Sequence, residues 1–170
     1  MKRPALPTPL SLDNPLWTFA CAAWRLPDVE TLALDLQTRG MPVDLWLVCA
    51  WCGLNDLDWD GQTPPALADW REHGVASLRR QRQQIPRTDP VWAPLRDRLL
   101  ATELCAEQYL FAAWHQTLAS SAQGARQDIR LLGERVLRHL NHPARTPDTD
   151  AAFLRALERL MAVLASARPL

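Results

Sequence analysis

Lysine is nearly missing from this 170-residue chain: 18 of its 19 basic residues are arginine. Its cations are therefore planar forks suited to carboxylate or phosphate rather than flexible point charges, although arginine usage also follows genome composition. An excess of either charge sign is missing too, with 19 basic against 19 acidic residues. Up to Gly61 there are four Lys/Arg against eight Asp/Glu, and from Gln62 to His142 eleven against eight. That mild asymmetry gives no field strong enough for nucleic-acid binding, which needs a clearly basic patch. Long apolar runs are absent. The longest nearly uncharged stretch, Leu45 to Asn55, is about half of a membrane span, so no membrane insertion is expected. The positive start "MKRPALPTPL" is broken by prolines 4, 7 and 9 and is followed by no apolar core of a signal peptide. A cytoplasmic protein with reduced cysteines is the expectation. No stretch alternates apolar and polar residues between hairpin turns, which removes β-structure. No glycine-rich phosphate loop, nucleophile elbow or Ser-His-Asp context occurs, so no reaction can be written.

What is present folds. With 48% apolar and 22% charged residues, the composition is that of a globular protein, and the length fits one domain. Helix punctuation is clear, and the fold class expected is all-α: a single-domain bundle of about six to seven helices around a central antiparallel helical hairpin. "DNP" at 13–15 starts a first helix that runs to about Arg25, with Trp17, Cys21 (or Ala20) and Trp24 on one face. A second carries Val29, Leu32 and Leu36 and stops at Arg39-Gly40. The third is "VDLWLVCAWCG", stopped by Gly53. After the polar loop "LNDLDWDGQT", Thr63-Pro64 caps a fourth helix reaching Ile85, with Gly74 as a weak interior point. "PRTDP" then breaks the chain before a helix of roughly 30 residues from Val91, with Leu95, Leu99, Ala106, Leu110, Ala113 and Trp114 on its apolar stripe. Two more helices follow, at about 126–140 and 151–167. Residues 1–12 are expected to form a flexible arm, and 141–150 a loop before the last helix. No repeat of solenoid period is present.

Three groups of residues could carry chemistry. Cys49-x-x-Cys52 has the spacing of redox or metal motifs, yet it sits deep in an apolar helix near its C-terminal end, where nothing favours thiolate. A zinc site would need a second pair of ligands, and the simpler reading is small apolar residues in a packed helix. Eight tryptophans mostly fall on apolar stripes. Trp59 lies between two aspartates in the polar loop, where it either folds back or is an exposed contact residue. In the hairpin, Glu103 and Glu107 share a face at i,i+4; the chain lacks the Glu-x-x-His pairs of a diiron bundle, and Arg71 is the expected neutraliser. Counting outward from Thr88 puts Arg79 opposite Asp97, and Arg71 opposite Cys105. Arg79, Arg80, Arg82 and Arg87 could meet an anion or an acidic partner, while His73 and His115 are read as ordinary helix residues.

The segments "LWTFACAAWRLPDVETLALDLQTRGMPVDLWLVCAWCG", "WREHGVASLRRQR" and "ATELCAEQ" together resemble a small proteobacterial family described only as a domain of unknown function. The similarity covers about residues 16 to 115. The family's "PGV" turn reads Pro27-Asp28-Val29, its proline before "LR" is Ser77, and Cys105 stands where its "LEAE" has glutamate. The matching anchor positions are Trp70, Leu78, Arg79, Arg82, Glu103 and Glu107. The resemblance implies no activity.

The expectation is a non-enzymatic helical module that binds another protein or a second copy of itself, without cofactor, nucleic acid or membrane. Its candidate binding residues are Trp59, Trp70, Arg71, Arg79, Arg82, Glu103 and Glu107. The alternative is a small-molecule-binding bundle, enzymes included, with a buried Arg/Glu site in a Trp-lined pocket. A third reading makes Cys49 and Cys52 metal ligands.

Overall fold

The computed structural model describes residues 5–26, 28–121, 124, 128–140 and 145–167. It is all-α, with no strand among these residues. In chain order the helices are α1 (Pro15–Trp24), α2 (Val29–Thr38), α3 (Val43–Leu54), α4 (Pro65–Asp69, continued by a π-helical turn Trp70–Val75 and by Ala76–Gln83), α5 (Ala93–Leu118), α6 (Ile129–His139) and α7 (Pro147–Ala167). A 3-10 turn, Pro90–Trp92, leads into α5. No helix among the described residues is long and apolar enough to cross a membrane.

The chain gathers into two compact units. Residues 15–63 and 117–170 form one, in which α3 packs against α1, α2, α6 and α7. A helix surrounded on all sides must be apolar on all sides. That is why Leu45 to Ala50 and Cys52 are all buried. Gly53 does not stop α3, which runs one residue further to an Asn55 cap. A Cβ there would lie 2.7 Å from Ile129 Cδ1, so this glycine lets α6 approach α3 closely. Gly61, at φ 84°, faces the backbone of Arg135 and Val136 in the same way. The inner face of α1 is Leu16, Ala20 and Ala23, one step round from the expected stripe, and Trp24 is exposed. Helix α6 starts at the cap Asp128, whose Oδ1 accepts from Arg130 N at 2.9 Å. Residues 126 and 127, where its start was expected, lie outside the described residues. Helix α7 starts a turn earlier than the loop expected at 141–150 allows, because Thr146 and Thr149 cap it reciprocally: Thr146 N donates to Thr149 Oγ1 at 2.7 Å, and Thr149 N to Thr146 Oγ1 at 3.2 Å.

Residues 1–14 and 64–116 form the other unit, built on α4 and α5. Thr63 does not cap α4; Pro64 holds the cap position without a side-chain bond. The π turn was not foreseen. It is closed by Ala76 N donating to Arg71 O, five residues back. One extra residue in a turn rotates everything after it by about 100°. Val75 is thereby buried, and the inward stripe of the second half of α4 runs through Arg79 and Arg82. Asp89 caps the 3-10 turn that leads into α5, its Oδ1 accepting from Val91 N at 3.0 Å. The later half of α5 buries Ala106, Leu110 and Phe111 to Trp114; the earlier half leaves Leu95 and Leu99 of the expected stripe outside the core.

Candidate functional site

Glu103 is the centre of the polar group that the hairpin assembles. Its side chain is 4% exposed, and two guanidinium groups converge on it. Arg79 Nε donates to Oε1 at 2.8 Å, and Arg82 Nε donates to Oε2 at 2.6 Å. Arg79 also donates through Nη2 to Glu107 Oε1 at 2.6 Å. Both arginines use the fork geometry that lysine lacks. Burial alone would push the Glu103 carboxyl up, but the hydrogen bonds from Arg82 and Arg79 outweigh it and hold the group below the usual carboxylate value. The Arg82 guanidinium is raised in turn, chiefly by its bond to Glu103. A carboxylate so firmly kept ionised accepts bonds and neutralises its neighbours; it is a poor proton donor.

Six of the seven candidate residues thus fall in this unit, and the structure joins Arg79, Arg82, Glu103 and Glu107 directly. The register differs from the count. Arg79 was expected opposite Asp97 and instead meets Glu103, and the groups that meet Glu103 are Arg79 and Arg82 where Arg71 was expected. Counting from a turn treats both helices as straight and regular, whereas α4 carries a π turn and α5 a 3-10 lead, and an arginine reaches more than one helical turn. Trp59 stands apart from the group: at 5% exposure it is a core residue, its indole donating to Gln62 O at 3.1 Å. Its loop folds back, so the exposed contact is not formed.

Cys49 and Cys52 are fully buried. Burial, with the neighbouring Cys52, drives the Cys49 thiol well up, and burial pushes the Cys52 thiol up to about 12. Nothing in this apolar enclosure activates either thiol as a nucleophile. Among the described residues no group of three or more His, Cys, Asp or Glu could hold a metal ion.

A second feature of the α4/α5 unit escaped the sequence reading. The chain from Ala5 to Leu10, α4 and α5 enclose an open cleft of about 510 Å³. Its apolar walls include Leu6, Leu10, Trp70 and Tyr109, and Asp69 and His73 also line it. Trp70 is held in place twice. Its Nε1 donates to Ala106 O at 2.9 Å, and its ring lies over Gly74, where a Cβ would stand 3.1 Å from Trp70 Cδ2. Its ring centroid is 6.3 Å from that of Tyr109. The signal available in the sequence was "DWREHG": Asp69 and His73 at i,i+4, and Trp70 and Gly74 at i,i+4. His73 is thus no isolated helix residue, since its Nδ1 lies 3.0 Å from Asp69 Oδ1. The Arg/Glu group does not line this cleft, so the expected combination of a Trp-lined pocket with those charges is two separate features.

The described residues of this unit define a helical pair with a buried Arg/Glu ion network and, apart from it, an aromatic cleft. The chain belongs to the family described as "Protein of unknown function (DUF2390)", which matches residues 15–114. No curated protein and no solved structure matches it.

Proposed function

We propose that the chain is a non-enzymatic interaction module of the cytoplasm whose docking surface is the N-terminal half of α5 and the turn before it. The observation that carries this reading is a concentration of large apolar side chains left in solvent on the two flanks of this segment: Val91 (78% exposed), Trp92, Leu95 (46%), Leu100 and Leu104. Single exposed leucines are ordinary, but five such residues over four helical turns are a concentration that partner surfaces favour. Trp is moreover enriched where proteins meet. Beneath them Arg79, Arg82 and Glu103 tie α4 to α5, which keeps the exposed helix rigid at half-buried positions where apolar packing is thin. The occupant that suits such flanks is an apolar helix face of another polypeptide, a second copy included.

Leu95→Asp and Leu104→Asp, singly and together, test it. Sedimentation of the purified chain over a wide concentration range, and co-purification of native-host proteins on the tagged chain, should both be compared with wild type. The expected result is a folded double variant that loses self-association or a specific co-purifying protein. Identical sedimentation and identical co-purified proteins in wild type and double variant would reject the α5 surface.

A further inference from the structure

We infer that the cleft between residues 5–10 and the π-helical turn of α4 is a small-molecule site for a flat, ring-containing phenol or alcohol, packed against the aromatic wall that Trp70 and Tyr109 form together, with its hydroxyl donating to His73 Nε2. This stands apart from the α5 surface and does not depend on it.

The first ground is how the cleft wall is made. A glycine inside a helix costs about 1 kcal/mol relative to alanine, and a π turn is a rare and locally poorer arrangement that concentrates at functional sites. Both occur in "WREHGV", the six residues of the π turn, and both serve the same side chain. Gly74 admits the Trp70 indole against the helix backbone, and Ala106 O fixes its N–H. A helix selected only for stability would carry neither feature. Their joint effect is a preorganised aromatic wall facing a space of about 510 Å³, within the range of ordinary ligand sites.

The second ground is the hydrogen-bond polarity of the histidine. His73 Nδ1 lies 3.0 Å from Asp69 Oδ1 and 3.3 Å from Asp69 O. Both neighbours are acceptors, so the proton of the neutral ring sits on Nδ1 and Nε2 is left as an acceptor. The ring cannot turn to offer Nδ1 without losing Asp69. A ligand meeting Nε2 must therefore bring a donor, and in a cleft walled by leucine and aromatic rings the remainder of it must be apolar. A hydroxyl on a ring system satisfies both conditions, whereas a carboxylate would bring a second anion beside Asp69 and an acceptor to an acceptor.

The test titrates 2-naphthol, 2-naphthoate and 2-methylnaphthalene into the full chain at pH 8, followed by NMR, with thermal melts establishing that each variant is folded. We expect saturable binding of 2-naphthol, with intermolecular NOEs to Trp70 and Tyr109 side-chain protons. Leu6→Asp, which alters a wall outside the helices, should weaken it at least ten-fold. His73→Phe keeps the wall apolar and removes the acceptor; it should abolish the preference for 2-naphthol over 2-methylnaphthalene, about five- to ten-fold for one hydrogen bond. Failure of 2-naphthol to saturate, NOEs to residues away from the cleft, or affinity unchanged in Leu6→Asp would overturn the site. Preference for 2-naphthoate, or discrimination that survives in His73→Phe, would overturn the role of the histidine and with it the ligand class.

Discussion

The two compact units of this chain distribute the same residue types in opposite ways. In residues 15–63 and 117–170 most large apolar side chains, Trp46 and Phe153 among them, are buried, with Trp24, Leu34 and Leu131 exposed singly, and exposed ion pairs lie outside: Arg39 with Asp35 and Asp148, and Arg130 with Glu134 and Glu158. In residues 1–14 and 64–116 Trp92, Leu95, Leu100 and Leu104 are in solvent, while Glu103 goes inside with two arginines upon it. Exposed ion pairs contribute little and are easily replaced; a buried one strongly penalises loss of either member. One unit is thus held together mainly by burial and the other in part by charge. The denser concentration of exposed apolar side chains and the cleft both belong to the second.

Substitution in the first unit should show the largest effect. Trp46→Ala removes a side chain with no exposure and is expected to cost about 3–5 kcal/mol, read as a loss in denaturant midpoint. Trp46 Nε1 is also buried with no hydrogen-bond partner among the described residues, so Trp46→Phe should cost much less than its lost volume suggests. A cost below 1 kcal/mol for the alanine variant would deny that this unit depends on burial.

Glu103→Ala comes next, at about 2–3 kcal/mol, because Arg82 loses its carboxylate acceptor and Arg79 keeps only Glu107. Replacing Glu103, Arg79 and Arg82 together by apolar residues of similar size should recover most of that loss. The same group predicts an acid limb. The folded Glu103 carboxyl lies below its ordinary 4.5, so its contribution is complete above that value and disappears as pH falls below it toward the folded value. Glu103→Gln should flatten that part of the stability curve, and a curve of unchanged shape would contradict the network.

Smaller and opposite in sign is the alkaline limb. Cys52 has its thiol raised from 9.0 to about 12, so the folded state binds a proton that the unfolded state releases, and stability falls as pH rises past 9. At pH 8 a thiol reagent should modify exposed Cys105 quickly and reach Cys49 and Cys52 only on unfolding. Equal rates at all four cysteines would mean that α3 is not enclosed. Least of all, Leu95→Asp and Leu104→Asp should shift stability by no more than about 0.5 kcal/mol each, as surface positions do, while changing association.

Helix identity was legible because it is written in neighbours along the chain. Pro15 at a first turn, Arg39-Gly40 at a stop and the breaks at 86–90 mark ends that depend on a few consecutive residues. The burial of the "VDLWLVCAWCG" helix was legible for the same reason, since a segment apolar on every side has no face to show to water. The Arg/Glu cluster was half legible. Its members were chosen by type and spacing, but which arginine meets Glu103 depends on helix phase, and a single π turn resets that phase. Trp59 was placed between two readings because its immediate neighbours are aspartates. Burial was decided by its loop, where Arg135, distant in sequence, donates to Trp59 O at 3.3 Å.

What the sequence determined by itself is therefore local: an all-α chain of about six to seven helices, some of their ends, and the apolar character of α3. Tertiary structure alone decided which arginines close on Glu103, which leucines remain in water and that Trp70, His73 and Tyr109 share a cleft with residues 5–10. The physical reason is range. Propensity and capping act within a few residues, whereas packing phase, desolvation and cleft formation depend on side chains that the chain brings together from positions dozens of residues apart.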